Sequence, residues 1–158
     1  IYRPVNIMEL TKSYRSTTEI NRFNAELIGK YNEADYYCRN GDAPEIIIAE
    51  DKIKAAASII AINKNKFNTI GILMFSNKKA REFYAGLKKY EEDINFIINA
   101  NDEFKPGIVL MSAPYAKGLE FDAVIIPEYG EKYLRGEKNL RTFYLMCTRA
   151  LHKLILID

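Results

Sequence analysis

Apolar residues along this chain follow two rhythms that alternate almost from end to end. Short continuous runs predict strands covered on both faces, and recurrences at three- and four-residue spacing predict amphipathic helices. The strand-like runs lie at 5–10, 45–49, 69–75, 94–100, 107–113, 123–126 and 154–157. Of these, Glu45-Ile46-Ile47-Ile48-Ala49 reads as a buried strand. Helical stripes are formed by Ile20, Phe23, Leu27 and Ile28; by Ile53, Ala56, Ala57 and Ile60; and by Ala80, Phe83, Tyr84 and Leu87. A last stripe joins Leu140, Phe143, Tyr144, Cys147 and Leu151. Ser16, with Glu19 three residues later, fits a capping box for the first helix. Asn40-Gly41-Asp42-Ala43-Pro44 is a turn, and the longest polar connections are 31–44 and 127–138. The pattern predicts an α/β fold: one domain over residues 1–158, a mainly parallel sheet with helices on both faces.

Composition narrows the class without naming a function. The 158 residues suffice for one sizeable core, and 48% hydrophobic with 28% charged is a globular profile. A net charge of +2 is too balanced to announce a nucleic-acid binder, although a local strip needs only a few donors. Two cysteines, Cys38 and Cys147, and the lone His152 argue against a disulfide framework or a structural metal. No apolar run approaches the ~20 residues of a membrane span. Ile1-Tyr2-Arg3-Pro4 has neither an initiator Met nor a signal-peptide pattern, so a piece of a longer cytoplasmic protein is expected.

Three blocks carry chemistry. Ser13-Tyr14-Arg15-Ser16-Thr17 follows the first predicted strand, a position that would put Arg15 at a carboxyl end of the sheet, where ligands gather. In Cys147-Thr148-Arg149-Ala150, Arg149 sits on a predicted helix that Leu145 and Met146 make apolar on its outer face too. An arginine there needs a carboxylate or a phosphate. Glu128 or Glu131 would serve as the first, and the two readings stand level. Between them lies Ala116-Lys117-Gly118-Leu119-Glu120-Phe121, where Gly118 permits a tight backbone path and Glu120 could accept from a sugar hydroxyl. Glu50-Asp51 after an apolar run imitates a magnesium-holding pair. The chain has no G-x-x-x-x-G-K-[ST] loop, so a helix start is the better reading. His152, after the last predicted helix, has no nucleophile arrangement around it.

In this order the blocks resemble motifs IV, V and VI of superfamily 1 helicases of the UvrD/Rep/PcrA type, over nearly the whole chain. The ending Cys147-Thr148-Arg149-Ala150-Leu151-His152 looks most like the HelD, or helicase IV-like, branch. The resemblance implies a RecA-like three-layer domain, the second of two that clamp ATP. Tyr14 would stack on adenine, Arg15 and Arg149 would reach the γ-phosphate, Glu120 would bind the ribose, and Lys117 would lie by the cleft. ATP and Mg2+ would bind only together with the N-terminal motor domain, and single-stranded DNA would be the track. Without that domain the chain is expected to be inactive. The family usually has Thr-x-His before the middle block, and here Ser112, Ala113 and Pro114 stand at those positions. Ser112 keeps a hydroxyl able to contact DNA phosphate, whereas Pro114 has no side-chain donor. Leu140 and Met146 replace a frequent arginine and glycine. The changed Thr-x-His positions motivate an alternative, a HelD-like ATPase acting on RNA polymerase. A third reading makes both arginines merely structural.

Overall fold

Six strands, all parallel, build one sheet in the computed structural model, which describes residues 15–29 and 39–158. The strand expected at 5–10, together with Tyr14 and Cys38, lies outside those residues. The elements run α1 (Thr18–Leu27), β1 (Glu45–Ile47), α2 (Lys52–Asn63), β2 (Thr69–Met74), α3 (Asn77–Leu87), β3 (Ile94–Ile97) and β4 (Gly107–Ser112). A 3-10 turn (Ala113–Ala116) leads to β5 (Phe121–Ile126), the single-turn α4 (Glu131–Leu134), α5 (Glu137–Cys147) and β6 (Ala150–Ile157). The strand order is β1-β6-β5-β2-β4-β3.

The expected three layers follow from which faces are apolar. α2 and α3 bury Ala56, Ile60, Ala80 and Leu87 against one side of the sheet, beside Ile70, Ile72 and Ile125. α1, α5 and the 3-10 turn bury Ile20, Phe143, Cys147 and Ala116 against the other side, beside Val124, Leu154 and Leu156. Fully burying one such side chain contributes about 1.5–3 kcal/mol, so both faces are needed to hold the sheet. β2 and β5 are neighbours whose following helices lie on opposite faces, which makes their carboxyl ends the point where the winding reverses.

Several boundaries differ from the sequence pattern. Thr17, not Ser16, caps α1, its Oγ1 accepting from Ile20 N–H at 3.5 Å. Ser16 is buried and donates to Ala150 O at 2.6 Å, while Glu19 accepts from Gly41 N–H at 2.7 Å. A buried hydroxyl must satisfy the core backbone first, and that displaces the cap by one residue. The run 45–49 is not buried: β1 pairs only with β6 among the described residues, and Ile48 is 88% exposed. Leu151 belongs to β6 rather than to α5, because the turn at Thr148 and Arg149 ends the helix and pairing with β5 begins at Ala150. β6 therefore starts four residues before the run at 154–157, and His152, which does follow the helix, lies in this strand.

Candidate functional site

β5 and β6 are adjacent and parallel, with Phe121 beside Ala150 ahead of a one-residue register shift, so the turns that enter them lie side by side at the amino edge of the sheet. Glu120 ends one turn, Arg149 ends the other, and Phe121 N–H donates to Arg149 O at 2.9 Å. Arg15, just ahead of the α1 cap, reaches the same place and pairs through Nε with Glu120 Oε1. Arg15, Glu120 and Arg149, far apart in sequence, thus converge. They do so at the amino edge, not at the carboxyl end inferred for Arg15. Gly118, at φ +86°, makes the approach to Glu120 possible, since a side chain there would be strained.

Arg149 meets neither Glu128 nor Glu131. Its Nε donates to Leu145 O at 3.2 Å, Nη1 to Leu119 O at 3.2 Å and Nη2 to Thr148 Oγ1 at 3.1 Å. A guanidinium has five N–H groups, so one on each terminal nitrogen remains for another acceptor. Burial lowers the Arg149 pKa, the nearby Arg15 charge adds to that, and Glu120 opposes it. Two guanidiniums around one carboxylate leave a net positive edge. That edge is suited to an anion with paired oxygens.

Lys117 lies elsewhere. It lines a groove of about 470 Å³ with Phe75, Pro114, Lys138 and Arg141, between the 3-10 turn and α5. Arg141 is held by Glu137 at 2.5 Å, and Lys117, Lys138 and Pro114 are exposed. Ser112 is fully buried, and its hydroxyl bonds to Asn77 Oδ1 at 2.6 Å. A direct phosphate contact from Ser112 would require that bond to break.

A further cleft of about 580 Å³ opens at the carboxyl ends of β2 and β5, lined by Lys52, Met74, Glu82, Glu128 and Tyr133 among others. Glu128 is 4% exposed and accepts from Phe75 N–H at 2.8 Å. Burial is the main cause that raises its pKa; the Phe75 bond and Lys79 act against it. A raised acid keeps its proton in the folded state to a higher pH than in the unfolded chain. Its contribution to stability is therefore full below the ordinary glutamate range and is lost as pH rises through the folded value. Glu128→Gln, which can still accept from Phe75, is expected to flatten this slope and to unfold later than wild type at neutral pH. Denaturation midpoints between about pH 4 and pH 8 measure it, and parallel curves would refute it.

The Glu50-Asp51 helix-start reading fits the geometry: Asp51 accepts from Ile53 and Lys54 N–H, both at 3.1 Å, as the cap of α2. Among the described residues no group of three His, Cys, Asp or Glu side chains is placed to hold a metal ion. No described helix is long and apolar enough to cross a membrane. The sequence pattern placed Tyr144 in a core stripe and Thr148 in the block around Arg149 but missed Asn24; all three line a small recess between α1 and α5 with Arg15. Polar residues on helices read as surface, and only packing reveals that Asn24 is buried.

A six-stranded parallel sheet between two helix layers is an α/β domain of the RecA-like type. Residues 108–157, about a third of the chain, match the family model of the UvrD-like helicase C-terminal domain. The C-terminal domain of a possible DNA helicase from Lactobacillus plantarum WCFS1 has the same fold. It superposes with a TM-score of 0.76 at 27% identity, over 92% of this chain and 87% of that one. No curated protein matches.

Proposed function

We propose that the chain is the C-terminal motor domain of an ATP-dependent DNA helicase or translocase. The observation that carries this reading is the convergence of Arg15, Glu120 and Arg149, with two Arg149 N–H groups uncommitted among the described residues. The UvrD-like segment and the helicase domain of like fold support it. ATP and Mg2+ would be held mainly by an N-terminal partner domain, whose phosphate loop this sequence lacks. When bound, the nucleotide supplies the phosphoryl group and the metal neutralises part of its charge. Arg149 is anchored to the backbone on one side, and its remaining donors would stabilise charge developing on the γ-phosphate oxygens. Arg15 would leave Glu120 to join it, freeing that carboxylate for a ribose hydroxyl. Tyr14, next to Arg15 in sequence, would stack on adenine.

The basic groove around Lys117, Lys138 and Arg141 would carry one stretch of a DNA strand, with Phe75 as a stacking surface. Such a protein would work in the cytoplasm. The test compares ATP turnover by the isolated 158-residue chain with turnover by the protein in which it follows a phosphate-loop domain. The proposal expects single-stranded DNA to stimulate the second and the first to be silent. Enzyme-like turnover by the chain alone would overturn it. Pro114 at the groove favours a second reading, a HelD-like motor acting on RNA polymerase. Co-purification with polymerase, without stimulation by DNA, would select that reading.

A further inference from the structure

Glu128, just past the end of β5, is 4% exposed, and only one of its carboxylate oxygens is used: Oε2 accepts from Phe75 N–H at 2.8 Å. Oε1 has no donor among the described residues. It is not sealed in either, because the only described side-chain atoms buried without a partner are those of Asn24. A carboxylate taken out of water needs a positive partner, and leaving it half met costs stability. Two lysines border the same cleft, yet neither bonds to it. Lys52 donates to Ile157 O at 2.9 Å, and Lys79 acts on Glu128 only as a nearby charge.

Position and shape favour a ligand here. The cleft opens at the carboxyl ends of β2 and β5, where the winding reverses, and open parallel sheets bind their ligands at such points. Its volume of about 580 Å³ falls within the ~300–1,000 Å³ of ligand pockets. Met74, Phe83 and Pro127 are buried and apolar at its floor, while Glu50, Asp51 and Glu82 are exposed around them. Counting Glu128, four acidic side chains against two lysines make the lining net negative, which repels a nucleic-acid strand and attracts a cation.

An ammonium and a guanidinium are the cations to weigh. The first is compact and strongly hydrated; the second sheds water more readily and lies flat on apolar or aromatic surface, which suits this floor. Its five N–H groups would serve Oε1 and still reach towards Glu82, which is near enough to act on the Glu128 charge. Ile48, two residues ahead of Glu50 in the chain, is 88% exposed and offers an apolar contact to whatever carries the cation. We propose that this cleft docks a protein partner by taking one arginine side chain, its guanidinium donating to Glu128 Oε1 and its methylene stem lying along Met74 and Phe83, with an apolar neighbour of that arginine on Ile48. The inference goes beyond the motor reading and does not rest on it, since the arginine edge lies at the opposite end of the strands.

The experiment titrates the full-length protein, by calorimetry, with acetyl-Leu-Arg-Leu amide, with the same peptide carrying citrulline or lysine in place of arginine, and with agmatine. Citrulline keeps the shape and loses the charge, so binding roughly 10–100-fold weaker is expected, the worth of a charged hydrogen bond. The lysine peptide is expected in between. Agmatine has the guanidinium without apolar flanks and should bind about tenfold more weakly than the arginine peptide. Glu128→Gln still accepts from Phe75 and should bind the arginine and citrulline peptides alike. Lys79→Gln removes an opposing charge from an exposed position and should tighten the arginine peptide by roughly two- to fivefold, which keeps the test decisive should the Glu128 variant not fold. A wild type that does not prefer arginine to citrulline, a preference that survives Glu128→Gln, or weaker binding by Lys79→Gln would each overturn the proposal. Agmatine binding as tightly as the arginine peptide would overturn the protein partner and make this a site for small organic cations.

Discussion

Replacing Arg149 with alanine in the full-length protein is expected to lower kcat for ATP by at least about a thousandfold. An arginine acting on a transferring phosphoryl group contributes roughly 10³–10⁵ in rate, because its planar fork meets two oxygens at once in a site poor in water. The side chain also ties down Leu145 O and Leu119 O, so a structural role predicts something different. Leu145 O is in the last turn of α5 and Leu119 O in the connection before β5, both on half-buried residues, and losing these bonds would lower the melting temperature by only a few degrees. Arg149→Lys separates the two roles further. It keeps a charge near the same carbonyls but cannot present the fork, and is expected to lose most of the turnover while melting close to wild type. Stopped-flow turnover and thermal unfolding on the same preparations decide the matter. Activity within threefold of wild type in either variant would return Arg149 to a structural role.

The second large effect concerns stability. Phe121 is fully buried and opens β5; its ring occupies the space that a side chain on Gly71 would need, with the nearest ring atom 2.6 Å from where a Cβ would stand. Truncation to alanine removes most of that ring from the core, and the backbone around it is already fixed by pairing on both sides of β5. The site can collapse little, so Phe121→Ala is expected to cost about 3–5 kcal/mol. At 2–4 °C per kcal/mol for a domain of this size, the melting temperature falls by roughly 6–20 °C. Calorimetry or a urea titration measures it. A cost under about 1 kcal/mol would mean that the core relaxes around the gap far more than its packing suggests. Phe121 N–H also binds Arg149 O, so the damage should spread to the arginine edge before the rest of the sheet.

Much of this fold could be read from the pattern of side chains, because strands covered on both faces cannot hide their apolar runs. Runs at 69–75 and 107–113 became β2 and β4 nearly to the residue. β1 defeated the same logic: three isoleucines in a row state that the segment is apolar but not that a neighbour covers it. The start of β6 was masked by Leu151-His152-Lys153, whose mixed character is what partial exposure permits. At the candidate site, the partners Arg15, Glu120 and Arg149 were each named in advance, and the structure brings them together. Their place at the amino edge was not inferred: Arg15 was assigned to a carboxyl end, although residues 117–120 precede a strand instead of following one. Arg149's carbonyl partners, the bond between Ser112 and Asn77, and the orphaned Asn24 depend on packing across many tens of residues, which no local pattern encodes.

Between the end of β4 and the start of β5 the backbone has only residues 113–120 in which to travel from one rim of the sheet to the other. It is nailed down by Ala113 and Ala116 at the beginning and Phe121 at the end, all buried. Lys117 and Glu120, three positions apart, therefore serve two different places, the groove beside α5 and the ion pair with Arg15, from one short connection. Any movement of one end must be taken up within these few residues, of which Ala113 and Ala116 are already fixed in the core.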